Sequence, residues 1–144
     1  MGAGRRLGAR ELLDTVLDEG SWVSWDAPPL PVAPPGSSYA VELATAAAKA
    51  GTDESVLTGE GRIKGRRVAC VAGEFSFLAG SIGKASAERI VLAFERAQRE
   101  RLPLFAAPTS GGTRMQEGTP AFLGMVKISA AVASFKAAGL PYIV

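Results

Sequence analysis

The 144-residue sequence contains no histidine, so any chemistry must proceed without imidazole as a base, nucleophile or metal ligand. Cys70 is the only cysteine, which excludes an internal disulfide and a four-cysteine zinc ribbon. The formal net charge is only +2, and no basic cluster alternates with aromatic residues as in single-strand nucleic-acid binders. No secretory signal is visible, and no stretch approaches the ~20 apolar residues of a membrane span. These absences favour a soluble cytoplasmic protein that binds neither nucleic acid nor membrane.

Proline is concentrated near the start of the chain, and its position suggests a division into two parts. Residues 9–19 have apolar side chains at helical spacing, and five of the ten residues from Ala27 to Gly36 are proline. Such a run cannot form regular helix or central strand. We therefore predict a helix and a proline-rich linker, or a strap over the surface, at 1–36, followed by one main domain at 37–144.

The main domain shows an alternation of strands and helices. A helix to about residue 50 can be capped by Ser37 or Ser38, and two β-branched runs around Lys64-Gly65 indicate a β-hairpin. The later pattern predicts a helix, a strand, a helix and a strand at 84–101, 102–107, 119–138 and 140–144. This order is typical of an α/β domain with parallel pairing in its later part. Since the last strand ends at Val144, we expect further β–α units to be missing.

The helix predicted over 119–138 is apolar on nearly all sides. Only two lysines and two serines interrupt it, namely Lys127, Ser129, Ser134 and Lys136. A helix of this kind is expected to be buried on several sides, either by its own domain or by a partner subunit.

A glycine pair between the predicted strand 102–107 and this helix is the first candidate site. Ligands of α/β folds gather at the carboxyl ends of strands, and glycine lets backbone N–H groups approach a ligand closely. The adjacent N–H groups of Gly111 and Gly112 are candidates for an oxyanion hole, although the pair taken alone favours a simple turn, since glycine is common between strands and helices. Arg114 is a candidate ligand for a phosphate or carboxylate, with an ion-paired surface position as the alternative.

A second candidate is the segment 77–83, which also joins a predicted strand to a predicted helix. Backbone N–H groups around Gly80 and Ser81 could receive a carbonyl oxygen or a phosphate, and an ordinary loop is the alternative. Two other features are assigned structural positions. Cys70 is predicted to be a small core residue, and Asp53-Glu54 to occupy an exposed turn.

Several motifs in the correct order resemble the carboxyltransferase subunits of acetyl-CoA carboxylase. The three longest are Leu57-Thr58-Gly59-Glu60-Gly61-Arg62-Ile63-Lys64-Gly65-Arg66, Phe75 to Gly83, and Ser110-Gly111-Gly112-Thr113-Arg114-Met115-Gln116-Glu117-Gly118. Ile82 stands where that family usually has methionine, and Thr113 where it has alanine. Leu140 to Ile143 matches the strand that follows, and Leu13 to Trp25 resembles the family's opening segment. The likeness therefore spans nearly the whole chain.

This resemblance implies a crotonase-like (ClpP/crotonase) α/β fold of repeated ββα units, truncated here after the early units. It also implies carboxyl transfer from carboxybiotin to the α-carbon of acetyl-CoA or propionyl-CoA through an enolate. Gly111 and Gly112 would then supply main-chain oxyanion donors, for either the biotin or the enolate oxygen. Gly80 and Ser81 would lie beside the acyl-CoA thioester, and Arg114 would lie near the CoA phosphates.

The implied cofactor is biotin on a separate carrier domain, with acyl-CoA as substrate and no metal. The implied partners are a biotin carboxyl carrier protein, a biotin carboxylase and a second carboxyltransferase domain or chain in a homo- or hetero-oligomer. Because the family's active site forms between two such domains, the chain alone is expected to be inactive. The alternatives are a subunit of malonate decarboxylase or another biotin-dependent decarboxylase, and a non-catalytic assembly fragment. The segment Met115-Gln116-Glu117 favours the carboxylase.

Overall fold

The structure is a computed structural model that describes residues 4–144. Within that range, one sheet contains five strands in chain order, namely β1 (Val23–Ser24), β2 (Val56–Ile63), β3 (Arg66–Gly73), β4 (Leu104–Ala107) and β5 (Tyr142–Ile143). The helices of this range are α1 (Ala9–Val16), α2 (Ser38–Ala50), α3 (Lys84–Arg99) and α4 (Thr119–Ala137). The first three strands are antiparallel, whereas β3–β4 and β4–β5 are parallel. The predicted order of hairpin, helix, strand, helix and strand is confirmed.

The β2–β3 hairpin turns at Lys64 and Gly65, as the sequence predicts. Both residues have positive φ, 51° and 78°, which is the backbone of a two-residue type I′ turn. The carboxylate of Asp18 accepts hydrogen bonds from both turn N–H groups, at 2.9 and 2.7 Å. The amino-terminal segment therefore stabilises the hairpin turn.

The two faces of the sheet are covered by different helices. Successive residues of a strand point to opposite faces, and along β3 the side chains of Val68, Cys70 and Ala72 form a cluster with α1. On the other face, Ala69 and Val71 pack with the helix α3. The prediction that Cys70 is a core residue is confirmed, and burial raises the pKa of its thiol to about 12.

The amino-terminal segment packs onto the rest of the domain, although the sequence predicts a division at residue 36/37. Leu13 on α1 is fully buried against β3, and Val23 pairs with Glu60 of β2. The proline run lies over the surface as a strap, and Arg89 of α3 donates a hydrogen bond to the Ala27 carbonyl at 2.9 Å. Proline prevents a segment from joining a helix or sheet, but it does not prevent that segment from packing onto one.

Helix α4 is largely exposed within this chain. Its buried residues are Ala121, Gly124 and Phe135, and the Phe135 ring meets Phe94 of α3 edge to face at 5.5 Å between centroids. Residues 4–144 therefore do not bury this helix on several sides, and its burial by a partner subunit stays a prediction. By length and composition alone α4 could also cross a membrane, contrary to the expectation from the sequence. Its position between the parallel strands β4 and β5 assigns it to the α/β domain instead.

Candidate functional site

Both predicted loops lie at the same edge of the sheet, because they follow the adjacent parallel strands β3 and β4. We call residues 74–83 the β3 loop and residues 108–114 the glycine loop. A short parallel bridge joins them, in which the Ile82 N–H donates to the Gly112 carbonyl at 2.8 Å and the Arg114 N–H donates to the Ile82 carbonyl at 2.9 Å. The structure therefore brings the two sequence motifs together at the edge where α/β folds bind ligands.

The close approach of the loops depends on Gly80. A Cβ atom at this position would collide with the Thr109 carbonyl oxygen, and the φ of Gly80 is +68°. A side chain here would therefore separate the β3 loop from the glycine loop.

The β3 loop contains backbone strain that the sequence did not indicate. Leu78, Ala79 and Gly80 have φ values of 45°, 55° and 68°, three successive residues in the left-handed region. For the two non-glycine residues this conformation costs roughly 1–2 kcal/mol each. The neighbouring Phe77 is almost fully buried, and its carbonyl accepts the Gly80 N–H at 2.8 Å, which helps to hold the strained turn. Such strain is found most often at functional sites.

The two predicted oxyanion donors are both engaged in this structure. The Gly111 N–H donates to the Ala79 carbonyl at 2.8 Å, and the Gly112 N–H donates to the Ser110 hydroxyl oxygen at 3.0 Å. Releasing the Gly112 N–H requires only rotation of the exposed Ser110 side chain. Releasing the Gly111 N–H requires separation of the two loops. The two donors therefore differ in accessibility, and a catalytic role for either stays a prediction.

Arg114 does not occupy the exposed position that a phosphate ligand would need. Its side chain is fully buried, and Nη1 donates to a Glu54 carboxylate oxygen at 2.9 Å while Nε donates to the Ser81 hydroxyl at 3.1 Å. Burial favours the neutral guanidine, but hydrogen bonding and charge from Glu54 outweigh it and raise the pKa of Arg114. Because the buried guanidinium is committed to protein groups, Arg114 supports the loops rather than facing a phosphate.

Glu54 and Glu117 complete this buried ionic cluster, and sequence reasoning missed both. Only 2% of the Glu54 side chain is exposed, so the interpretation of Asp53-Glu54 as an exposed turn holds for Asp53 alone. Glu117 accepts the Lys84 N–H at 2.7 Å through one oxygen, which places a carboxylate at the amino-terminal end of α3 where the helix dipole favours it. Its other oxygen accepts the Tyr39 hydroxyl at 2.6 Å and Arg114 Nη1 at 3.3 Å.

An open cavity of about 790 Å³ adjoins the two loops. Its walls come from the amino-terminal segment, from α2 and from the β3 loop, including Arg6, Leu7, Thr45, Lys49, Phe75 and Ala79. The Arg6 guanidinium lies 3.9 Å from the centroid of the Phe75 ring. Ala79 lines the cavity and its carbonyl accepts the Gly111 N–H, so the glycine loop lies directly behind this wall of the cavity. Its volume is in the range of small-molecule sites.

No group of three or more potential metal-ligating His, Cys, Asp or Glu side chains occurs in the part of the chain that the structure describes. The candidate site is a cavity beside two hydrogen-bonded backbone loops, which a buried ionic cluster supports from behind.

Comparison with known proteins places this chain in a family. Residues 3–144 match the family described as the carboxyl transferase domain. The chain is 63% identical over 139 residues to the probable biotin-dependent acyl-coenzyme A carboxylase beta3 subunit of Mycobacterium tuberculosis, covering 96% of this chain and 28% of that protein. It is 37% identical over 142 residues to the acetyl-coenzyme A carboxylase carboxyl transferase subunit beta of Citrifermentans bemidjiense, covering 96% and 50%.

Among solved structures, transcarboxylase 12S with hydrolysed methylmalonyl-coenzyme A bound is similar, with a TM-score of 0.74 and 25% identity over 91% of this chain and 24% of that one. This likeness confirms the predicted α/β crotonase-like fold. The chain spans about a quarter to a half of the length of these relatives.

Proposed function

Because this chain belongs to the carboxyl transferase domain family, we propose that it forms the amino-terminal half of a biotin-dependent acyl-CoA carboxyltransferase. The reaction would move a carboxyl group from carboxybiotin to the α-carbon of acetyl-CoA or propionyl-CoA. The observation that carries this proposal is the pairing of the glycine loop with the β3 loop at one edge of the sheet, directly beside the cavity. Biotin, delivered on a carrier protein after a biotin carboxylase has acted, supplies the transferable carboxyl group.

The cavity is the proposed acyl-CoA site. Its lining contains two cations, Arg6 and Lys49, beside the carboxylates of Glu42 and Glu74, and its apolar part includes Leu7, Leu78 and Phe75. Phosphates are attracted to such cations, and Arg6 and Lys49 replace the buried Arg114 in this role. The β3 loop, with Gly80 and Ser81, would then lie beside the acyl-CoA.

The glycine loop is proposed to stabilise negative charge that develops during the transfer. Release of the carboxyl group would leave negative charge on the ureido oxygen of biotin. The ureido nitrogen would then take the α-proton of the acyl-CoA, which would place the charge on the thioester oxygen of the enolate that accepts the carboxyl group. The Gly112 N–H is the more accessible donor, since only the Ser110 hydroxyl occupies it. A fixed backbone donor aimed at such an oxygen is commonly worth ~3 kcal/mol of barrier.

Helix α4 is proposed as the docking surface for a second carboxyltransferase domain or chain. Its outer face carries large apolar side chains that are 38–63% exposed, namely Phe122, Leu123, Met125 and Val126. Exposed apolar patches on this scale usually mark an interaction site. A second domain bound there would complete a site of which this chain supplies one side.

Restoration of activity tests the proposed function. This chain is added to a carboxylase that lacks its own amino-terminal carboxyltransferase domain, and transfer of radiolabelled carboxyl from carboxybiotin to acyl-CoA is measured. An intact homologous domain is the positive control. We expect this chain to restore transfer. If the homologous domain restores transfer and this chain does not, the carboxyltransferase proposal fails, and loss of labelled CO₂ from malonyl substrates would favour a decarboxylase instead.

A further inference from the structure

Helix α2 covers the cavity but is held only loosely by the core. Among its residues only Ala46 is buried, whereas Glu42, Thr45 and Lys49 line the cavity. An amphipathic helix normally gains its stability from burying an apolar face, and α2 buries very little. Other contacts must therefore hold this wall of the cavity in place.

Two hydrogen bonds connect α2 to the short turn Met115–Glu117, directly after the glycine loop. The Tyr39 hydroxyl donates to Glu117 at 2.6 Å, and Gln116 Nε2 donates to Glu42 at 2.8 Å. The first is half-buried, and burial together with the Glu117 carboxylate raises the pKa of the Tyr39 hydroxyl, so it stays a donor at neutral pH. The second is exposed, and water competes for its groups.

We propose that Tyr39 and Glu117 are positioning residues. Their hydrogen bond, which we call the latch, holds α2 against the cavity only when the glycine loop and the start of α3 are correctly placed. Glu117 receives the Lys84 N–H, Arg114 and the Tyr39 hydroxyl on one carboxylate. Movement of the glycine loop would therefore release α2. Binding in the cavity is therefore coupled to the arrangement of the glycine loop. The identity of the bound ligand rests on the proposed function.

The hydrogen bonds of Glu117 predict that glutamine cannot fully replace it. Donors face both of its oxygens, Lys84 N–H on one side and Tyr39 with Arg114 on the other. A glutamine at this position would turn its amide NH₂ toward one of these donors, so the exposed Lys84 N–H or the half-buried Tyr39 hydroxyl would lose its acceptor. Glu117→Gln therefore removes one of these hydrogen bonds, although the glutamine side chain has nearly the same shape as glutamate.

Tyr39→Phe provides the more selective test, because it removes the latch and leaves the cap on α3 and the Arg114 pair intact. Tyr142→Phe is the matched control: it makes the same chemical change in a half-buried tyrosine whose ring packs on Phe94. Both variants are placed in the assembled, transfer-competent protein. Hydrogen exchange of residues 38–50 and steady-state kinetics with acyl-CoA are then measured.

We expect Tyr39→Phe to accelerate exchange across α2 about fivefold and to raise the KM for acyl-CoA by about the same factor, with kcat unchanged. Tyr142→Phe should change neither quantity. Glu117→Gln should reproduce the effect on α2, and adding Tyr39→Phe to it should cause little further acceleration. Unchanged exchange in α2, or a fall in kcat with constant KM, would overturn the latch.

The exchange measurement also separates this inference from the proposed function. Exchange in α2 does not depend on catalysis. Absent transfer by the unsubstituted protein would contradict the carboxyltransferase proposal alone, whereas normal transfer with unaltered α2 exchange in Tyr39→Phe would contradict the latch alone.

Discussion

At the scale of single residues, the most consequential feature is a buried charge cluster that no local pattern indicates. Arg114 and Glu54 are 60 positions apart in sequence and nevertheless share a hydrogen-bonded ion pair with almost no exposure. The motif around Arg114 was apparent from the sequence as a resemblance, but its buried environment was not. Sequence periodicity reports which residues face a core, not which distant residue neutralises a buried charge.

Arg114→Ala is expected to destabilise the protein by about 3–5 kcal/mol, because it leaves the carboxylates of Glu54 and Glu117 buried without their cation. The free energy of unfolding in urea measures this effect. The control is Arg66→Ala on the exposed start of β3, which should stay within about 0.5 kcal/mol of the unsubstituted protein. Full stability with weakened CoA binding would instead restore Arg114 as a phosphate ligand.

At the scale of elements, the strongest sequence patterns predicted the structure best. The β2–β3 hairpin and α3 were predicted nearly to their ends, because alternating β-branched residues, a Lys-Gly turn and a helical apolar stripe act locally. Along α3 the structure buries Ile90, Ala93 and Phe94, whereas Val91 is half-buried. Helix α1 was also predicted from its spacing, but its attachment to the sheet was not, since the following prolines suggested a linker.

Leu13→Ala tests whether α1 is an integral part of the domain. Leu13 is fully buried in the cluster with Val68 and Cys70, so we expect a loss of about 2–5 kcal/mol in the free energy of unfolding. Chemical denaturation followed by far-UV circular dichroism measures the loss. Leu30→Ala in the exposed proline strap is the control. A stability loss no larger than that of the control would return residues 1–36 to the status of an appendage.

Helix α4 should respond oppositely to changes on its two faces. Val126→Glu lies on the exposed face, where we expect unchanged stability of this chain but loss of association with a second carboxyltransferase domain. Phe135→Ala lies on the buried face and should cost about 3–5 kcal/mol of stability. Sedimentation velocity measures the association and urea unfolding the stability. Association that survives Val126→Glu would exclude this face as the docking surface.

At the scale of the whole molecule, the fold followed from the resemblance, and the arrangement of the site followed only from the structure. The motifs of the β3 loop and the glycine loop predicted a crotonase-like domain, which the comparisons confirm. They did not reveal that the Gly111 N–H binds the Ala79 carbonyl, or that α2 covers a cavity beside both loops. These features depend on the packing of segments that are distant in sequence.

The most direct test of the central claim is the rate of carboxyl transfer by the restored enzyme carrying Gly112→Val. Gly112 is exposed with φ +113° and open space around it, so the substitution disturbs the local backbone and its N–H rather than the core. Gly139→Val is the matched control, since Gly139 is also exposed with positive φ and open surroundings but lies beyond α4. We predict a fall in kcat of at least about a hundredfold for Gly112→Val with the fold retained, and near-normal transfer for Gly139→Val. Normal transfer by folded Gly112→Val would contradict the role of the glycine loop.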